Sequence, residues 1–218
     1  MNRKVIYSAI FGNYDAVKIH SHINKEYDYV LFSDSATISA QSSRMDSSNW
    51  TVINMGNVSN PRLLARELKV LNKVLGSYSE SIWLDGKYKQ IGDINDLFEN
   101  DSSYFTTMTH PSRSCVYKEA EACVSMGRGN KDDILTQIER YQSEGLPKNI
   151  GMVNSAVIRR FNTPRVNAIN EGWWNEIENG SIRDQISFNY VLWKLKEKIH
   201  IFDHNKLKGV LQEHKHLI

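Results

Sequence analysis

Short runs of β-branched and aromatic residues alternate with longer stretches of helical spacing, and this alternation constrains the fold more than any other feature of the chain. The runs are "KVIYSAIF", "YDYVLFSD", "WTVINM", "SIWLDG", "YFTTMTH", "MVNSAVIRR" and "IHIFD". Strands interleaved with helices predict an α/β layer architecture, in which helices cover the faces of a sheet. Several runs end in polar or glycine-bearing residues: Gly12-Asn13-Tyr14-Asp15, Asp34, Asp85-Gly86 and His110-Pro111. In open α/β sheets ligands gather where the carboxyl ends of strands open into loops, so functional residues are expected there. A length of 218 residues fits one well-buried domain, read as a body over 1–204 and a weakly patterned, mobile tail over 205–218.

The best-marked helix starts at Asn60-Pro61, a capping residue followed by proline at the first helical position. Leu64, Leu68, Leu71 and Leu75 then follow helical spacing, and Arg62, Arg66, Lys69 and Lys73 repeat it two residues earlier. Two residues turn about 200° around a helix, so the basic stripe lies opposite the leucines. For Lys73 this reads as a solvated face. Arg62 and Arg66 sit in the first turns, where backbone N–H groups and the helix dipole also favour an anion. Further helices are expected over "SCVYKEAEACVSMG", "KDDILTQIERYQSEG", the stretch from Pro164 to Asn179, and "RDQISFNYVLWKLKEK", whose Ile186, Tyr190, Trp193 and Leu195 should dock on the sheet.

Composition narrows the function classes. Hydrophobic residues at 40% and charged residues at 24% are ordinary globular values. A net charge of +2 is too mild for a protein that coats nucleic acid, so no nucleic-acid partner is expected, but it suits a small anionic ligand. The amino terminus lacks a small-residue cleavage site, and no apolar run reaches membrane-spanning length. A cytoplasmic location is therefore expected, and peripheral association with a membrane is compatible with it. Cys115 and Cys123 stand eight apart, a spacing unlike a metal knuckle or redox pair, and read as reduced packing residues.

Two places carry chemistry. In "SIWLDGK" the apolar Ile82-Trp83-Leu84 delivers Asp85 to a turn made by Gly86, and Lys87 follows two residues later. A carboxylate and an ammonium share one strand end, as an ion pair, a polar turn or the core of a site. Asp184 opens the last long helix three residues after Ser181. It reads equally as a capping anion and as a catalytic carboxylate. The Trp173-Trp174 pair reads as an aromatic stacking platform, though neighbours on a helix point in different directions and at least one should be core.

Together "YSAIFGNYD", "YVLFSD", "PRLLARELKVL", "SIWLDGK", "HPSRSCVYKEAEAC", "QIERYQSEGLP" and "RDQISFNYVLWK" resemble a glycosyltransferase-like family long filed as a domain of unknown function. Its members occur in bacterial surface-polysaccharide gene clusters and among plant proteins linked to cell-wall mucilage. The resemblance runs from Val5 to Lys196. It implies a single-domain GT-A-like (Rossmann-like) fold, with a mixed, mostly parallel sheet flanked by helices. It also implies transfer from a nucleotide-sugar donor, a UDP- or GDP-sugar, to a saccharide acceptor of a capsule or lipopolysaccharide.

Residue roles follow from the same resemblance. The loop of Phe11, Gly12 and Tyr14 would lie under the nucleotide, with Tyr14 stacked on the base and Asp34 accepting hydrogen bonds from base or ribose. Arg62 and Arg66 would approach the diphosphate or brace Asp85. GT-A enzymes carry an Asp-any-Asp element that holds Mn or Mg on the diphosphate, which makes Asp85 the candidate metal ligand. Here Lys87 stands at the second acidic position, so metal-independent action is expected, with Asp85 on sugar hydroxyls and Lys87 assisting the leaving group. His110, with Arg113, would contact sugar hydroxyls of the acceptor, as would Asn154 or Ser155, of which strand alternation allows only one to face the cleft. Asp184 is the expected catalytic carboxylate, and His214 and His216 read as a solvated end in preference to metal ligands. The competing classes are a saccharide- or nucleotide-sugar-binding module without turnover, and a hydrolase using Asp85 and Asp184 as its carboxylate pair.

Overall fold

The structure, a computed structural model, describes residues 3–99 and 101–217, the Val74 side chain excepted. The first half contains β1 (Lys4–Ile10), β2 (Tyr27–Ser33), α1 (Ser35–Ala40), α2 (Ser42–Asp46), β3 (Thr51–Asn54), α3 (Pro61–Leu71), β4 (Glu80–Leu84) and β5 (Tyr88–Gln90). The second contains β6 (Phe105–Thr109), α4 (Val116–Ser125), α5 (Lys131–Ser143), β7 (Val153–Phe161), α6 (Pro164–Glu178), α7 (Asp184–Leu195), β8 (His200–Phe202) and β9 (Leu211–Glu213). Seven strands form one sheet in the order β3-β2-β1-β4-β7-β6-β8, and β5 pairs with β9 in a separate ribbon. β7 runs against the other six strands. The sheet is thus mixed and mostly parallel, as expected.

Period-two alternation divides the core between the two faces of the sheet. Val5 and Tyr7 of β1, Val30 and Phe32 of β2, and Trp83 of β4 pack with Leu68, Cys123, Tyr141, Trp173 and Phe188 from α3 to α7. Their neighbours Ile6, Leu31, Ile82 and Leu84 pack on the other side with Met45, Phe98, Phe202 and Leu211. Strands buried on both faces explain why β1, β2 and β4 read as nearly continuous apolar runs. Truncating one of these side chains, as in Ile82→Ala, costs about 2–5 kcal/mol through lost burial and the cavity left behind.

Local signals set the helix ends. Asn60 accepts from the Leu63 N–H ahead of Pro61, and Thr163 accepts from the Val166 N–H ahead of Pro164. α3 stops earlier than the leucine spacing predicts, because Asn72 takes a left-handed conformation at φ 44° and Lys73–Leu75 form only a 3-10 turn. Asparagine tolerates this conformation and so ends a helix readily.

The largest departure from expectation is the carboxyl-terminal stretch. Leu211 and Gln90 face each other in the β5–β9 ribbon, Val210 and Leu211 are buried, and the Leu217 N–H donates to the Tyr14 carbonyl at 2.9 Å. It is packed, not loose: a three-residue strand shows no period, and its partner lies more than a hundred residues away in sequence. No helix among the described residues is long and apolar enough to cross a membrane.

Candidate active site

The carboxyl ends of β1, β2 and β4 open at one edge of the sheet. Because β7 is antiparallel to β4, its amino end reaches the same edge, with Leu84 opposite Val157. The Asp85 N–H continues this pairing by donating to the Ala156 carbonyl at 2.9 Å, which fixes Asp85 at the rim. Trp83 Nε1 then donates to Asp85 Oδ1 at 2.6 Å, so the buried tryptophan also sets the direction of the carboxylate.

α3 and the start of α7 meet above that rim. Lys69 Nζ lies 2.7 Å from Asp184 Oδ2 and 3.4 Å from Asp85 Oδ1, and donates to Ser155 Oγ at 3.0 Å. Ser155 in turn donates to Asp184 Oδ2 at 2.9 Å, while Arg66 Nε stands 3.3 Å from Asp184 Oδ1. Asp184 is 2% exposed. Burial alone would raise its pKa, but Arg66, Lys69 and Arg183 outweigh burial and hold the carboxyl far below the ordinary range. Asp184 stands in the first turn of α7, where the dipole favours an anion, but both of its oxygens face side chains; its backbone carbonyl accepts from Trp173 Nε1 at 2.8 Å. That contact and full burial make Trp173 a core residue and not a sugar platform.

Two further arginines complete the cluster. Arg62 has its pKa lowered by burial and then by repulsion from Arg66 and Arg183. Arg183 is anchored from behind by the buried Glu119 at 3.9 Å, and Glu119 also pairs with Arg113 and lies 3.6 Å from His110 Nε2. His110 Nδ1 accepts from the Ser112 and Arg113 N–H groups, so this histidine organises a turn and backs the cluster. Arg183 Nε is buried without a hydrogen-bond acceptor among the described residues, and Arg66 Nε reaches Asp184 Oδ1 as an ion pair without hydrogen-bond geometry. Orphaned cationic donors of this kind suit an anion.

The loop after β1 forms the other wall. Gly12 and Asn13 both adopt left-handed conformations, at φ 60° and 56°, and Phe11 is buried beneath them. Asp34 spends one oxygen on the Gly12 N–H and the other on the Thr37 N–H, each at 2.8 Å. It therefore holds the loop and caps α1, where the sequence reading had given its oxygens to base or ribose. Tyr14 is 48% exposed, with its ring 4.4 Å from that of His216. Gly86 is required by close approach: a Cβ there would lie 2.9 Å from Asp15 Oδ2 and from Ile10 Cγ1. His216 Nδ1 meets Asp15 Oδ1 at 2.8 Å, so it is tied down although its side chain stays 42% exposed.

Lys87 is the main correction to the sequence reading. Its ammonium turns to Glu213 of β9 at 2.7 Å, and the amine that meets Asp85 is Lys69. Lys69 reads in the sequence as one of a basic stripe, yet it is 1% exposed because α6 packs on α3 and its ammonium is enclosed by Asp184, Asp85 and Ser155. The available signal was its helical register with Arg62 and Arg66; for Arg183 it was adjacency to Asp184. On β7, Ser155 is buried in the cluster, whereas half-buried Asn154 accepts from Gln185 Nε2 and the Ala156 N–H at 3.0 Å.

As a metal centre the donor set is poor. Asp85 Oδ1 already faces Lys69 and Trp83, and no group of three or more His, Cys, Asp or Glu among the described residues is arranged to hold an ion.

A family model described as TOD1/MUCI70, glycosyltransferase-like domain, matches residues 1–216. A relative from Arabidopsis thaliana named probable hexosyltransferase MUCI70 is 28% identical over 219 residues, which cover 89% of this chain. The match spans only 38% of that relative's length. Among solved structures, apo mouse xyloside xylosyltransferase 1 superposes with a TM-score of 0.52 at 10% identity, covering 93% of this chain and 85% of that one. At that identity the likeness concerns the fold, which is GT-A-like.

Proposed function

The chain belongs to the TOD1/MUCI70 glycosyltransferase-like domain family, and from that premise we propose that it transfers a sugar from a UDP- or GDP-sugar to a saccharide acceptor during cytoplasmic assembly of a bacterial surface polysaccharide. One observation carries the reading. Arg66 and Lys69 contact Asp184, Lys69 also meets Asp85 at the sheet's carboxyl edge, and the charges of Arg62 and Arg183 bear on the same carboxylate, leaving the cluster net cationic. A nucleoside diphosphate supplies the missing negative charge.

The chemistry follows from electrostatics. As the sugar leaves, charge grows on the diphosphate oxygens, and fixed cations in a partly dehydrated site stabilise that charge more than water does. Asp184, strongly acidic and enclosed, is a poor proton acceptor; it holds Lys69 and Arg66 in place. Asp85 is the more open carboxylate, with 28% of its side chain exposed, and is the group suited to gripping sugar hydroxyls. Mn or Mg bound with the donor would add a Lewis acid at Asp85, but the side-chain cations already supply neutralisation, so activity should survive chelation. Half-buried Asn154 faces the acceptor in this scheme. The hydrolase reading fares worse, because its general acid must be protonated and Asp184 is driven the other way.

A melting-temperature screen against UDP, GDP, CMP and dTDP, with and without manganese, tests the proposal, since a ligand of the folded form raises stability by mass action. UDP or GDP should raise the melting temperature of the wild type and, at the same concentration, raise that of Arg66→Ala less. Absence of any nucleotide response would remove the transferase reading, while saturation without slow donor hydrolysis would leave a binding module.

A further inference from the structure

A second cavity lies at the opposite edge of the sheet, where α3 ends and α6 begins. β4 separates the two places: Ser81 borders the cavity, Asp85 the cleft, and four residues of strand span about 13 Å. The cavity measures about 250 Å³ and is walled by Asn72, Asn162, Asn167, Asn170, Ser81 and Glu171. Its chemistry differs from that of the cleft. Carboxamides and a hydroxyl both donate and accept, whereas the cleft offers concentrated positive charge. The charges present offset each other, with Lys73 Nζ 3.9 Å from Glu171.

The amides are held in order. Arg160 donates to Asn170 Oδ1 at 3.0 Å, Asn170 Nδ2 to Asn72 Oδ1 at 3.2 Å, and Asn72 Nδ2 to Ser81 Oγ at 3.2 Å. The links engage both ends of Asn170 and Asn72 and so fix their orientation, which leaves this part of the wall preorganised. The side chain of Asn167, exposed at the rim, makes no hydrogen bond among the described residues. Leu71 and Leu75 add an apolar patch. Polar groups of both kinds beside a small apolar surface match the hydroxyls and C–H face of a pyranose. The volume lies below the range of about 300–1,000 Å³ usual for larger ligands, which fits one sugar unit.

We propose that this cavity is a second saccharide site, taking one neutral sugar residue of a glycan chain independently of the nucleotide. Arg160 links it to the cleft: the same guanidinium donates to the carbonyls of Lys69 at 2.6 Å and Val70 at 2.8 Å. Occupancy therefore bears on the helix turn that carries Lys69.

The test is a titration of the whole protein, without donor, with the methyl glycosides of glucose, galactose, mannose and N-acetylglucosamine, followed by saturation-transfer NMR. At least one should bind saturably to the wild type and to Arg62→Ala. Asn167→Trp should weaken it about tenfold or more, the loss of roughly one to two hydrogen bonds, while its melting response to UDP or GDP stays unchanged. Asn167→Leu, a smaller change at the same exposed position, repeats the test should the tryptophan variant fail to fold. The proposal is overturned if none of the four glycosides binds, or if binding is lost in Arg62→Ala and kept in the Asn167 variants, which would put the sugar in the cleft.

Discussion

The two ends of α7 carry ionic clusters of opposite design. At its carboxyl end Tyr190 and Lys194 meet Glu144, which also pairs with Arg140, and Arg140 closes on Glu176. Two acids face two bases, and Tyr141 stacks on Tyr190 with ring centroids 3.8 Å apart. At the amino end Asp184 is enclosed by cations that outnumber the carboxylates. The balanced end needs nothing further to be stable, whereas the unbalanced end retains repulsion that a bound anion would relieve. Charge excess held inside a fold points to ligand chemistry, as a balanced network does not.

Lys69→Met should show the largest effect. It removes the closest partner of a buried carboxylate, and although Arg66 and Ser155 remain on Asp184, the lost contacts should cost about 1–3 kcal/mol in urea unfolding. A loss below about 1 kcal/mol would show that Asp184 does not depend on this pair. Next, Arg66→Ala should weaken UDP or GDP binding by roughly tenfold to a hundredfold, the range for a hydrogen bond to a charged group, while Arg140→Ala leaves it unchanged. Equal effects at both ends would erase the contrast. Lys87→Ala breaks an outer ion pair to Glu213 and should change stability by no more than about 1 kcal/mol. A loss of nucleotide binding matching that of Arg66→Ala would return Lys87 to the centre of the site.

The smallest effect belongs to the balanced end and depends on pH. Lys194 and then Tyr190 lower the Glu144 pKa from 4.5 to about 2. A depressed carboxyl contributes stability that is complete above its unfolded value and fades as pH falls through its folded one. Glu144→Gln should therefore melt slightly below the wild type from pH 5 to 8 and converge with it near pH 2. A gap that persists at pH 2 would mean that the contact matters through packing.

Much of the frame could be read from sequence because its signals are local. Each predicted strand run forms a strand, Pro61 and Pro164 mark helix starts, and "WLDG" places Asp85 at a strand end. α1, α2 and the β5–β9 ribbon escaped because elements of three to six residues carry too few periods to stand out. In the site, Arg66 and Asp184 were picked out from their positions at helix starts. Lys69 was not, because its burial depends on α6 and α7 arriving from a hundred residues away.

The order of residues by itself determined an α/β sheet, its rim of polar loop residues and the family to which the chain belongs; these rest on periodicity and on motifs within short stretches. Only the tertiary structure decided which lysine meets Asp85, that Asp34 braces a loop, and that the last residues close one wall of the cleft. Charges act through space and not along the chain, so their balance at any point is set by the packing of distant segments.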